Sequence, residues 1–122
     1  MRLVYVAGPY RGKTEAEIAL NIASAQQVGK LAADKGWYPA IPHKNTEGFE
    51  HLAPDLGDAF WLQGTLELMR RCDAVVLCPG WEFSTGTLGE VEEALALKIP
   101  VYKTVRDLPD ISGKTHVELQ SR

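Results

Sequence analysis

Four short apolar runs, each closed by turn residues and separated by stretches of helical periodicity, constrain this chain more than any other feature. "LVYVA" (Leu3 to Ala7) stops at Gly8-Pro9, "WYPAIP" is shortened by its own prolines, "DAVVLC" stops at Pro79-Gly80, and "IPVYK" comes last. Between the first two, Thr14 followed by Glu17 forms a capping box. Ile18, Ile22, Ala25, Val28 and Leu31 then recur at helical spacing until Gly36 closes the helix. A second helix is expected from about Ala59 to Arg70, and Leu88, Val91 and Leu95 mark a third. The polar stretch "HKNTEGFEHLAPDLGD" reads as a loop, and "THVEL" near the end as a possible further strand. Strands alternating with helices predict one α/β domain over residues 1–122. Its expected form is three layers around a doubly wound, mostly parallel sheet of four to five strands, of the flavodoxin or Rossmann kind.

At 122 residues the chain can bury a core without staples. A net charge of −3 argues against polymeric nucleic acid as a partner, since a phosphate-tracking surface shows as a basic excess. It leaves room for a local basic pocket. Cys72 and Cys78 have neither disulfide-framework nor metal-ligand spacing and read as buried free thiols in a reducing compartment. Met-Arg leads straight into a strand, and no apolar run is long enough for a membrane span, so a cytoplasmic protein without a membrane partner is expected.

In a doubly wound sheet, ligands bind beyond the carboxyl ends of the strands, where the winding reverses. Gly8, Pro9, Tyr10 and Arg11 follow the first strand, Pro42, His43 and Asn45 the second, and "PGWEFSTGTLGE" the third. These loops are expected to share one cleft. The first, "AGPYRGKTEAE", resembles a P-loop but has only three residues between Gly8 and Gly12. That is one too few to carry its amides around a β-phosphate, and no downstream strand ends in an Asp to hold Mg²⁺.

The third loop holds the most chemistry. Gly86 and Thr87 fall at an expected helix start, where open amides favour an anion. Glu90 follows within the first turn or so, close enough for the dipole to help keep it ionised. An ionised carboxylate there suits a nucleophile or an ion-pair partner; a helix-end decoration is the plainer alternative. Glu92 and Glu93 read as a solvated face, and Asp73 as structural.

"YVAGPYRG", "PHKNT", "RCDAVVLCPGW" and "STGTLGEVEEA" together resemble the nucleoside 2-deoxyribosyltransferase superfamily over about Leu3 to Lys103. The nearest branch is its small bacterial and phage proteins without an assigned function, with features of the nucleoside 5′-monophosphate N-glycosidases. The Gly86-Thr87…Glu90 element with Ala94 four positions on carries most of the likeness. The resemblance implies that Glu90 is the nucleophile on the anomeric carbon, that Tyr5 orients it, and that a glycosyl ester passes to water or to a second base. It also implies that Arg11 and Ser84 hold a 5′-phosphate. The transferase branch usually has an acidic residue at the Ser84 position, which would repel phosphate. "GPYRG" then becomes a phosphate-reading turn, with Arg11 and backbone amides, Gly8 included, as donors. Where relatives carry an aspartate near the second helix, this chain has Thr65, so Asp58 (or Asp55) is the acidic candidate for sugar or base. His43 and Asn45 could contact the base, with His43 a possible proton donor, or His43 could simply be satisfied by a backbone carbonyl. Trp81, and less so Trp61, could stack a base or fill core.

The expected function is thus an N-glycosidase acting on a (deoxy)nucleoside 5′-monophosphate. The alternatives are a deoxyribosyltransferase exchanging bases on free nucleosides and a non-catalytic nucleotide-binding module. No metal or cofactor is expected, and the resemblance implies a homodimer or higher homo-oligomer. A phosphoacceptor receiver is disfavoured because it would need acidic residues after strand one, and a flavodoxin because its phosphate loop would sit there rather than after strand three.

Overall fold

A computed structural model of the chain describes residues 1–113; the expected "THVEL" strand and His116 lie outside them. The apolar runs form four parallel strands, β1 (Leu3–Ala7), β2 (Tyr38–Ala40), β3 (Ala74–Leu77) and β4 (Val101–Tyr102), in the order β2-β1-β3-β4. β1 pairs with β2 on one side (Tyr5 opposite Ala40) and with β3 on the other (Tyr5 opposite Val75). The chain therefore winds outward from β1 in one direction and then in the other, and the reversal lies between β1 and β3. This is a doubly wound α/β fold.

Because successive strand residues point to opposite faces, the two central strands feed two cores. Val4, Val6, Ala74, Val76 and Cys78 pack with Ala25, Val28 and Ala32 of helix α1 (Glu15–Asp34). Tyr5, Ala7, Val75 and Leu77 pack on the other face with Met69 and Ala94. Met69 comes from α4 (Asp58–Arg70) and Ala94 from α5 (Thr85–Ala96). Both faces being covered explains why the strands read as continuous apolar runs. The alternation has a chemical consequence: Tyr5 is directed to the α5 side.

Thr14 caps α1 by accepting from the Glu17 amide at 3.1 Å. Glu17 reaches back one residue further than a capping box requires, to the amide of Lys13 at 2.5 Å. Ala32 is buried in α1, whereas Leu31 and Ile18 are half-buried, so the apolar stripe is rotated slightly from the expected one. Gly36 ends the helix region at φ +93°, and a Cβ there would stand 2.8 Å from the backbone of Ser112, so both conformation and space demand glycine. The expected loop after β2 contains two single-turn helices, α2 (Pro42–Asn45) and α3 (Phe49–Leu52). Pro42 at the first helical position presets φ for the first of them.

Lys35 holds the segment after β4 in place. Its ammonium donates to the carbonyls of Val105 (2.7 Å), Arg106 (3.0 Å) and Leu108 (2.6 Å). Lys35→Met keeps the apolar stem and removes the charge-assisted bonds. We expect it to lower unfolding stability by about 1–3 kcal/mol. A urea midpoint unchanged from wild type, at equal m-value, would contradict this role.

Candidate active site

The carboxyl ends of β1 and β3 approach each other closely at the reversal point. A Cβ on Gly8 would lie 2.5 Å from Cys78 Cβ and 2.7 Å from its sulfur. Gly8 is thus needed for spacing, which the phosphate-binding expectation did not anticipate. Gly8→Ala should cost about 1–3 kcal/mol by overpacking. An alanine variant as stable as wild type in chemical denaturation would show that the strand ends can spread freely.

Across this junction the Tyr5 phenol donates a hydrogen bond to Glu90 Oε2, joining residues 85 apart in sequence. Tyr5 is fully buried. Burial first, then the Glu90 charge, raise its pKa well above the ordinary phenol value, against an opposing contribution from the Thr65 hydroxyl of α4. The phenol therefore stays protonated and acts as a donor. Glu90 is the sixth residue of α5, beyond the reach of most of the helix-terminal field. Burial pushes its carboxyl from the ordinary 4.5 up to about 7, with the Tyr5 hydrogen bond pulling the other way. This corrects the expectation that the helix dipole keeps Glu90 ionised: desolvation wins, and near neutrality the acid and its anion are comparably populated. The Cys78 thiol beside it is pushed up to about 12, by burial and then by the Glu90 charge, and is inert.

Ser84 is the N-cap of α5. Its Oγ accepts from the Thr87 amide (3.2 Å) and the Thr87 hydroxyl (2.8 Å). Both acceptor positions are thereby filled, and the serine keeps its own proton to give. Thr87 is buried beneath it, so its hydroxyl serves the cap rather than a ligand. Gly86 faces open space, and its amide, with that of Thr85, lies in the first turn, where helices leave donors unsatisfied.

Arg11 and Asp58 do not point separately into a cleft. They pair with each other at 3.2 Å, with side chains 80% and 87% exposed. Such a pair is weak and easily exchanged. Asp58 is the first residue of α4, not a loop residue.

Of its two expected roles, base contact or satisfaction by a backbone carbonyl, His43 takes the second. It is 5% exposed, and Nε2 lies 3.2 Å from the Gly8 carbonyl and 2.9 Å from that of Pro9. Carbonyls only accept, so Nε2 carries the proton, while burial lowers the pKa and keeps the ring neutral. A ring spent on backbone carbonyls in the interior is not placed to protonate a leaving base. Asn45 is exposed at the end of α2. Trp81 is half-buried against the core that contains Tyr5, and Trp61 contacts Phe49 and Phe60. Asp73 is structural, accepting from the Leu3 amide at 2.7 Å.

Thr65 donates to the carbonyl of Leu62 at 2.9 Å, and its hydroxyl also acts on Tyr5. It brings no charge to the position. An open groove of about 430 Å³ lies elsewhere, between α1 and the α2–α3 segment, lined by residues such as Tyr10, Ile22, Lys44 and His51. Neither Tyr5 nor Glu90 lines it, and the carboxyl that burial moves towards neutrality belongs to that pair, so the candidate chemistry is assigned there. Among the described residues no group of His, Cys, Asp or Glu is arranged to hold a metal, and no helix is long and apolar enough to cross a membrane.

A doubly wound parallel sheet with a part-buried phenol–carboxyl pair at its reversal point defines the class: a Rossmann-like α/β domain with a candidate acid centre. Residues 2–104 match the family model described as "Domain of unknown function (DUF7768)", and the chain belongs to that family. No curated protein matches it.

Proposed function

We propose that the protein hydrolyses the N-glycosidic bond of a (deoxy)nucleoside 5′-monophosphate, with Glu90 as nucleophile. The observation that carries this reading is the Tyr5–Glu90 hydrogen bond at the reversal point, with the carboxyl poised near pH 7. Tyr5 occupies Oε2 and leaves Oε1 for attack. The ionised carboxylate bonds to C1′ while the C1′–N bond breaks; the base departs with that electron pair and takes a proton from solvent. Water then cleaves the glycosyl ester, returning the carboxylate, the free sugar phosphate and a proton. Burial, which lowers the ionised fraction of Glu90, also strips it of competing water.

The 5′-phosphate is held by the open amides at the start of α5, by the Ser84 hydroxyl and by Arg11, which exchanges Asp58 for the substrate. Supporting this are the filled acceptor side of Ser84 and the exposure of the Arg11–Asp58 pair. A neutral donor at Ser84 accepts a phosphate that a carboxylate would repel.

The test is base release, followed by chromatography, from a panel of nucleoside 5′-monophosphates and the matching nucleosides. Release from the monophosphates alone is the expected result. Release only from nucleosides, and only with an acceptor base present, would replace the reading with base exchange. Binding without any release would reduce the site to a nucleotide-binding one.

A further inference from the structure

The "GPYRG" turn between β1 and α1 is tied down from beneath in a way that the Tyr5–Glu90 chemistry does not explain. His43 Nε2–H, from α2, is shared by the carbonyls of Gly8 and Pro9 at 3.2 and 2.9 Å. Asn21 Nδ2, from α1, reaches the carbonyls of Tyr10 at 3.1 Å and Arg11 at 3.3 Å. Four consecutive carbonyl oxygens are thus engaged by two side chains. The sequence pattern gave Asn21 no role.

A turn that takes up an anion must keep its carbonyl oxygens, the negative ends of its peptides, away from the ligand or compensated by donors. Here all four are compensated. Meanwhile the amides of Arg11 and Gly12 bond to no acceptor among the described residues. The tie is also specific in its chemistry. With Nε2 as donor, His43 Nδ1 is left as a buried acceptor with no partner, so the ring contributes this one donor and nothing else. It is braced against Tyr10, ring centroids 5.8 Å apart.

We propose that His43 and Asn21 are positioning residues that hold the Gly8–Gly12 turn in its phosphate-accepting form. They engage its carbonyls and leave the amides of Arg11 and Gly12 for the ligand. The inference rests on reading this turn as the phosphate side of the proposed site, and it concerns binding rather than bond cleavage.

The test is therefore made without turnover. Inorganic phosphate, and separately a deoxynucleoside 5′-monophosphate, is titrated into ¹⁵N-labelled protein while the Arg11 and Gly12 amide resonances are followed. Both should shift and saturate in the wild type. His43→Leu and Asn21→Leu alter no formal charge at neutral pH and remove only the donors. Each should weaken phosphate binding about tenfold, the scale of one lost net hydrogen bond. His43→Gln, whose amide restores a donor near the Nε2 position, should recover binding to within about threefold. In a base-release assay the Leu variants should raise KM for monophosphates while sparing kcat. Folded Leu variants that bind phosphate as tightly as wild type would overturn the proposal, as would wild-type shifts that bypass Arg11 and Gly12. Phosphate binding at these amides without any base release would remove the glycosidase reading and leave this one standing.

Discussion

Glu90→Gln is expected to abolish base release and, at the same time, to make the protein more stable above pH 7. Loss of the nucleophile should lower kcat by on the order of 10³–10⁵-fold, because the amide cannot form the glycosyl ester. The stability gain follows from desolvation. The carboxyl titrates near 4.5 in an unfolded chain and near 7 in the folded one. Below about pH 4.5 it is protonated in both states and burial costs little. As pH rises from 4.5 towards 7 the unfolded chain releases the proton more readily, so the folded state loses ground, and above 7 the loss is complete. A neutral glutamine is free of this penalty and still accepts from Tyr5. The stability gap between variant and wild type should therefore widen by about 1–3 kcal/mol between pH 5 and pH 8. Urea unfolding at the two pH values measures it. A gap independent of pH would mean that the carboxyl is not desolvated as described, and a kcat within about tenfold of wild type in the variant would remove Glu90 as nucleophile.

Tyr5→Phe should move the pH dependence rather than simply lower the rate. In wild type kcat/KM should rise with pH through about 7, falling tenfold per unit below it, as Glu90 ionises. The phenol donates to the carboxylate and holds its pKa down against burial. Without that donor the pKa moves further up, and the midpoint of the profile moves with it. At pH 7 the variant should be slower by on the order of 10–10²-fold, and the difference should narrow at higher pH as the carboxylate returns. The same loss at every pH, with the midpoint unmoved, would assign Tyr5 to packing alone.

These two expectations also separate what could be read from the chain and what could not. Strand positions, helix caps and the doubly wound arrangement were legible because they are local. Apolar runs bounded by Gly and Pro, Thr14 before Glu17, and Gly36 after Lys35 each act over a few residues. The short helices after β2 escaped because one turn has no periodicity to detect, although Pro42 marked the first of them. The candidate residues were legible only by their place in the chain: Arg11 and Ser84 follow the ends of β1 and β3, Tyr5 lies within β1 and Glu90 within α5.

Their states were not legible. Spacing placed Glu90 close to a helix start and argued for an anion; the fold set it six residues in, where desolvation lifts its pKa to about 7 and leaves acid and anion comparably populated near neutrality. His43 followed a strand like a ligand residue, yet its ring turned inward to carry the backbone of another loop, and Asn21 joined it from a helix whose sequence spoke only of packing. Arg11 and Asp58 were assigned separate duties and are found paired. The sequence by itself determined which segments become strands and helices and that their ends would meet. Only the tertiary structure decided protonation, pairing and which donors are spent on the protein's own carbonyls. The reason is that burial and partner distance are sums over residues far apart in the chain, Tyr5 with Glu90 above all, and no local pattern encodes them.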